Sequence, residues 1–432
     1  MAERFAGFER EDVQGVPFLV RRDPRSKTFR MVLYARRPLD RDAAARALLP
    51  ALLQQGTRRD PDRPALARRM EMLYGASVGP GTAKVGESHV LRMSVDAVAG
   101  AFLPGRPDQL GAGAQLLREL LCEPLLDGMG FPSGTFERER KQAADAVRAL
   151  RDDKGAYAAE RAIAEACAGE PYAIPEHGGL AAIEALDRGA PERARLDFLT
   201  RGEMVAFAAG ALPEAGVAAR LGELLAAMPA RAPEPLRPPV SVAPRPVRRA
   251  VERTLLQQSK LHLHFRLPGT DVQRLWIGRR LFTNLLGGGP HSRLFREVRE
   301  RRSLAYYASA GLERHKGLLQ VHVGCDERAA AAVEEEVLRQ ARALQAGEFQ
   351  EQELETARAQ ILGTLATVDD SPQARLAFAA ESWFLGVDRT PDEWMDLYRS
   401  ATRDEVVQGA AGLWLDHVYL LGAETPAGGI AP

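Results

Sequence analysis

Two runs of alternating apolar and polar residues stand at equivalent places in the two halves of the chain. Ser26-Lys27 precede TFRMVLYA, and Ser259-Lys260 precede LHLHFRL. Side chains on a strand point alternately to its two faces, so each run predicts a strand in an antiparallel sheet with one buried face. The spacing then changes to that of a helix. AAARALLPALLQQG runs to Gly56 and VQRLWIGRRLFTNLLGGG to Gly289, each closing on the glycine that commonly ends a helix. A second helix leads into a β segment in ARRMEMLYGASVGP and again in SRLFREVRERRSLAYYASA; hairpin partners follow in GESHVLRMSV and HKGLLQVHVG. A further helix lies around QLGAGAQLLRELL and AAAAVEEEVLRQARAL. A long charged helix beginning near Glu137 or Glu351 comes last, carrying Asp152-Asp153 or Asp369-Asp370. The same interval separates Asp152 from Gly169 and Asp369 from Gly386. The shared order predicts a duplicated α+β unit.

Between the copies, Met228 to Arg249 reads MPARAPEPLRPPVSVAPRPVRR, with seven prolines. Proline denies this stretch a helix and a central strand, so it predicts an extended linker. The expected organisation is an N-terminal domain over 1–228, a linker over 229–248 and a C-terminal domain over 249–432. The fold class expected is α+β: two homologous domains, each an antiparallel sheet with helices on one face, forming a clam-like half-shell around a cleft.

Composition narrows the function. The 432 residues are 45% apolar and 27% charged, with 58 basic and 58 acidic side chains. A zero net charge gives no single-sign field for nucleic acid or an anionic membrane. Three cysteines, Cys122, Cys167 and Cys325, form no CxxC pair, so neither a zinc ribbon nor a disulfide framework is expected. The first 30 residues hold no apolar signal-like core, and no apolar run approaches 18 residues. A cytoplasmic location is the expectation.

The sequence lacks the usual hydrolytic signatures. None of its eight histidines has another four residues away, the spacing that puts two ligands on one helix face. His262 and His264 share a sheet face and are expected to be hydrogen-bonded there. No GxSxG elbow and no glycine loop ending in GK[ST] is present. Gly287-Gly288-Gly289-Pro290 is therefore read as a helix break that gives close backbone access to something extended.

One string is more specific. GGGPHSRLFREVRERRSLAYYASA, Gly287 to Ala310, resembles the C-terminal-domain signature of the insulinase/pitrilysin peptidase family, and the duplicated halves extend that resemblance over nearly the whole chain. SLAYYASAGLERHKGLL, Ser303 to Leu319, is similar to a bacterial branch that binds no zinc and is paired with a zinc-bearing relative. In active members an HxxEH motif lies on the first helix, just before a Gly-Thr, here Gly56-Thr57. The resemblance then puts Ala47 and Ala51 at the two histidine positions, Pro50 at the glutamate base and Ala146 at the third ligand. Residues 41–59 contain no His and no Glu, so a shift of one residue restores nothing. Pro50 is expected to kink or restart the helix.

The resemblance implies no metal in this chain, with zinc expected in the partner subunit. It also implies that Arg299 and Tyr306 are retained to reach a partner's active site. There, fixed donors stabilise the negative charge that develops on an attacked carbonyl. Tyr307 competes with Tyr306; neighbours on a strand face opposite sides, so only one is expected to point into the cleft. Peptide captured as an added strand is a further implication, with no edge strand identified. The implied function is a catalytically incomplete subunit of a zinc metallopeptidase heterodimer that cleaves peptides or small proteins. The alternative is a non-catalytic peptide-binding or scaffold protein that stabilises a partner.

Overall fold

Two tight X-Gly turns shape the start of the chain. Ala6-Gly7 and Gln14-Gly15 all have positive φ, the conformation that two-residue hairpin turns require. They join β1 (Glu3–Phe5), β2 (Phe8–Val13) and β3 (Val16–Arg22), with Phe5 opposite Phe8 and Val13 opposite Val16. The computed structural model describes residues 3–128, 130–268 and 272–424.

The chain continues through β4 (Thr28–Pro38), α1 (Ala43–Leu53), α2 (Arg63–Met72), β5 (Ser77–Val78), β6 (Gly81–Val85), β7 (Ser88–Val98), α3 (Gln109–Cys122), α4 (Ser133–Ala149) and α5 (Lys154–Ala166). Then come α6 (Leu180–Glu184), α7 (Ala190–Arg201), β8 (Glu203–Gly210), α8 (Val217–Ala226), β9 (Arg248–Thr254), β10 (Ser259–Arg266) and α9 (Val272–Gly287). A π-helix (Phe295–Arg301) leads to β11 (Ala305–Glu313), β12 (Leu318–Cys325), α10 (Ala330–Gln345), α11 (Glu351–Ala366), α12 (Pro372–Leu385), α13 (Pro391–Ser400), α14 (Arg403–Gly409) and β13 (Trp414–Ala423).

Packing divides the chain differently from its order in sequence. One unit holds Met1–Arg148, Ile174–Pro238 and Thr367–Pro391; the other holds Ala149–Ala173, Pro239–Ala366 and Asp392–Pro432. Each unit therefore borrows a helix from the opposite half of the sequence: α12 belongs to the first unit and α5 to the second. The proline-rich stretch is shared too. Glu234 pairs with Arg37 at 3.2 Å in the first unit, and Arg245 pairs with Asp416 at 2.7 Å in the second.

The first unit is built on an eight-stranded sheet of order β1-β2-β3-β8-β4-β7-β5, with β6 also on β7. Alternation along β4 sends Phe29, Met31 and Leu33 to one face, where they pack with Leu49 and Leu52 of α1 and Leu117 and Leu120 of α3. Val32 points the other way and packs with Phe207, Leu376 and Ala379, so α12 covers the second face. The second unit has a five-stranded sheet of order β11-β12-β10-β13-β9. Its second face is covered by α5, whose Ala158 and Ala162 pack with Tyr419 and Leu421.

The α+β class holds, with two corrections. The sheets are not wholly antiparallel, because β3 pairs in parallel with β8 and β9 with β13. Nor are helices confined to one face. The alternation in LHLHFRL indicates a polar face, yet that face is buried beneath a helix rather than open to water.

The long charged helices are also interrupted. Asp153 caps α5, accepting from the N–H groups of Gly155 and Ala156 at 3.0 Å. In the other copy Ser371 caps α12, followed by Pro372 at the first turn. A short acidic or hydroxyl side chain satisfies the free N–H groups at a helix start better than it serves a helix interior. Both matched glycines have positive φ, Gly386 at 66° as the left-handed cap of α12 and Gly169 at 84° just beyond the Cys167 cap of α5.

Candidate functional site

The Gly287–Ala310 segment is held by the residues of its own motif. Gly287 ends α9 against β11, where a Cβ would lie 2.3 Å from the Ala310 nitrogen. The extended element approached by Gly287 is thus a strand of the same unit. The Ser292 hydroxyl donates to the Gly289 carbonyl at 2.6 Å and fixes the next turn. Arg293 makes a two-pronged ion pair with Glu353 of α11, at 2.6 and 2.8 Å, and Arg296 also binds Glu353. Glu297 accepts from Arg301 at 2.8 Å. Leu294 and Val298 are fully buried beneath the π-helix.

Arg299 differs from these neighbours. It is exposed, and among the described residues no carboxylate or carbonyl takes its guanidinium. Its contact is with the face of Phe295, 4.6 Å from the ring centre, a cation–π contact that orients the side chain while leaving its donors open. The backbone around it departs from regular structure three times. The π-helix is the first. Ser303 has φ 50°, a left-handed conformation that non-glycine residues seldom adopt. The third is a break in strand register between Ala305, opposite Cys325, and Tyr307, opposite Gly324, which makes Tyr306 the extra residue of a bulge. Such irregularities are costly and gather at functional positions.

The bulge bears on the placing of the two tyrosines. The strict alternation that would separate Tyr306 from Tyr307 in a regular strand is interrupted here, and both are solvent-accessible, Tyr306 at 65% and Tyr307 at 37%. The Tyr307 ring lies across Gly324, where any Cβ would sit 2.2 Å from its edge, and beneath Lys260 at 5.2 Å. Burial raises the Tyr307 phenol above its ordinary value. Among the described residues β11 is an edge strand, paired only with β12, so its outer backbone groups are open to another strand.

In the first unit, Ala47, Pro50 and Ala51 form a half-buried stripe on α1, at the i, i+3 and i+4 spacing that shares a helix face. Contrary to one half of the expectation, α1 does not restart at Pro50; it runs as one helix from Ala43 to Leu53 with Pro50 inside it. Pro50 lies on the half-exposed side, so its ring is kept out of the core. Ala146 is exposed on α4. Alanine and proline side chains offer no lone pair to a metal and no acid or base group, so this stripe does not fit zinc. No group of three His, Cys, Asp or Glu side chains suited to a metal occurs among the described residues. Gly56-Thr57 serves a structural turn: Thr57 N–H donates to the Asp60 carbonyl at 2.7 Å and its hydroxyl accepts from Asp60 N–H at 3.0 Å.

The paired histidines of β10 belong to a larger group. His322 of β12 lies opposite His262, with the two Nδ1 atoms 2.7 Å apart, and His417 of β13 lies opposite His264. The expectation of hydrogen bonding holds for His262 but not for His264, which is fully buried with neither ring nitrogen partnered. The motifs QVHVG and LDHVY carried the signal for the two extra histidines; strand register, which sequence alone does not give, was needed to assemble them.

Comparison with known proteins agrees with this architecture. A family model described as "Peptidase M16 inactive domain" matches residues 195–361. The Bacillus subtilis protein named "Probable inactive metalloprotease YmfF" is 26% identical over 404 residues, covering 91% of this chain and 93% of that protein. A Mycobacterium tuberculosis protein named as a zinc protease is 29% identical over 223 residues, half of each chain. Among solved structures, a conserved protein from Enterococcus faecalis superposes with a TM-score of 0.87 at 25% identity, covering 96% of this chain and 98% of that one. An M16 inactive domain from Pseudomonas fluorescens gives 0.80 at 18% identity, covering 97% and 98%. These likenesses support an M16, or insulinase-type, peptidase-like protein. The matched model and the Bacillus relative are both described as inactive. No helix among the described residues is long and apolar enough to cross a membrane.

Proposed function

We propose that this chain is the zinc-free subunit of a heterodimeric metallopeptidase, working in the cytoplasm with a zinc-bearing M16 homologue on peptides or small proteins. The observation that carries the reading is the contrast within one motif. Arg293 and Arg296 are spent on Glu353, whereas Arg299 and Tyr306 are exposed on an irregular, firmly anchored segment. A cation and a phenol O–H with free donors suit a peptide carbonyl oxygen that gains negative charge. The metal and its water would be the partner's, since Ala47, Pro50, Ala51 and Ala146 leave this chain without the means to hold them. The open edge of β11 suits an extended peptide, whose backbone can pair there with little dependence on sequence. Co-purification with a zinc-bearing homologue from the same genome, followed by a peptide-cleavage assay on each chain alone and on the mixture, tests the reading. Activity found only in the mixture supports it; full activity of the homologue alone overturns it.

The poverty of donors in the first unit also favours a second reading, a scaffold or peptide holder that stabilises its partner and takes no part in chemistry. In that case deleting the chain lowers the partner's yield, while Arg299→Ala and Tyr306→Phe change nothing.

A further inference from the structure

The two borrowed helices rest on chemically opposite surfaces. In the first unit α12 presents Leu376, Ala379 and Ala380, with Phe378, Trp383 and Phe384, to the aromatic face formed by Phe8, Val32 and Phe207. That contact carries no titrating group near neutral pH. In the second unit α5 presents an alanine ridge, Ala158, Ala162 and Ala166, all fully buried. Beneath it lies the face of β10, β12 and β13 that bears His262, His264, His322 and His417. The four rings form a continuous row, with centroids 4.7 Å apart for His262–His322, 6.5 Å for His262–His264 and 6.1 Å for His264–His417.

The charges around this row are mostly positive. From the sheet, Lys260 and Arg266 flank His262 and His264, and Arg245, Arg248 and Asp416 flank His417. From α5, Arg161 pairs with Glu252, which also accepts from Tyr419 at 2.8 Å and binds Tyr157. After α5, Glu170 is committed to Arg266 and Lys316, and Asp416 to Arg245, Arg248 and Arg266. The carboxylates beside the row already have cations, and Asp153, which acts on Lys260, is engaged in capping α5, so none stands free to compensate an imidazolium. The buried rings must be neutral while α5 covers them: burial holds His262 down at about 3 and His417 at about 4.

We propose that α5 is a proton-sensitive strap, closed over four neutral histidines at pH 7 and above and released from the sheet under mild acid. Protonation places cations beside Lys260, Arg248 and Arg266 in a site that water does not reach, and lifting α5 hydrates them. The strap is the part that yields, because its fully buried grip is one methyl group per turn, flanked by the partly buried Tyr157 and Ile163, and its other ties are polar: Arg161 with Glu252, and Arg248 and Arg266 on the carbonyls of Glu165 and Ala166. By contrast α12 is anchored by leucine and aromatic rings. Local opening in a weakly held element at a free-energy cost below that of global unfolding is common.

Hydrogen–deuterium exchange of the full chain at pH 7.5 and pH 5.0, corrected for intrinsic exchange, tests this. Protection in 154–166 is expected to fall by at least about tenfold while that in 372–385 stays within about twofold. His322→Gln, at a half-buried position, removes one titrating ring and shifts the transition to lower pH. Unchanged protection in 154–166, or equal loss in both helices, overturns the proposal on the wild-type protein alone. So does a transition that His322→Gln leaves in place.

Discussion

Arg375 of α12 donates to the Asp23 carboxylate at 2.7 Å, in a buried ion pair between residues 352 positions apart in sequence. The same guanidinium binds Asp369 at 2.8 Å, so one side chain ties the borrowed helix both to its own cap region and to the first sheet's connection between β3 and β4. Removing one member of a buried pair strands the other charge, at a cost of about 3–5 kcal/mol. Arg375→Ala should lose stability on that scale in urea denaturation. Burial pushes the Asp23 carboxyl up, but donors from Arg25 and Arg375 outweigh this and hold it well below the usual carboxylate range. Its contribution is therefore complete above about pH 4 and disappears as pH falls further.

The arginines of the Ser-Arg-Leu-Phe-Arg-Glu stretch should separate by role. Arg293→Ala breaks charge-assisted bonds to Glu353 that are worth about 2–3 kcal/mol. Arg299→Ala removes an exposed side chain with no ion pair and should change stability by less than about 0.5 kcal/mol. Thermal denaturation of the two variants side by side checks the contrast.

Two glycines near the tyrosines should differ in tolerance. At Gly324 a methyl group meets the Tyr307 ring, which can swing outward, so Gly324→Ala should cost about 1–3 kcal/mol and expose Tyr307 further. At Gly287 the obstacle is the backbone of Ala310, which cannot move without disturbing β11. Gly287→Ala should be the more damaging of the two, as read by denaturant midpoint and soluble yield.

His89 gives the first unit its own acid sensitivity. It is fully buried with neither nitrogen hydrogen-bonded, and burial, aided by Arg46, lowers it to about 4. The unfolded chain takes up a proton near pH 6.5 and the folded chain resists until about pH 4. Stability is then complete above about pH 6.5 and falls by up to about 3 kcal/mol as pH drops through that window. His89→Leu should flatten that part of the stability–pH curve, measured by urea midpoints from pH 7.5 to 4.

Much of the fold was legible because it repeats. Two strand–helix–helix–hairpin runs in one order, with Gly169 and Gly386 in register, are more informative than any single segment. The exchange of α5 and α12 was not legible, since apolar periodicity tells which helix face is buried and not against which sheet. The polar alternation of β10 misled for a related reason: a strand that meets water and a strand that meets ion pairs under an alanine ridge read alike. For the site, the lost ligand types at Ala47, Pro50, Ala51 and Ala146 needed only residue identities. The bulge at Tyr306 depends on pairing with β12, and no local pattern encodes it.

The role proposed for Arg299 and Tyr306 is to act on a partner's substrate, and reconstitution with the zinc-bearing homologue measures this most directly. With the complex intact on gel filtration, Arg299→Ala and Tyr306→Phe should each lower kcat/KM for peptide cleavage by about a hundredfold, corresponding to about 3 kcal/mol of lost transition-state stabilisation. Cleavage at the wild-type rate by either intact variant complex would contradict it.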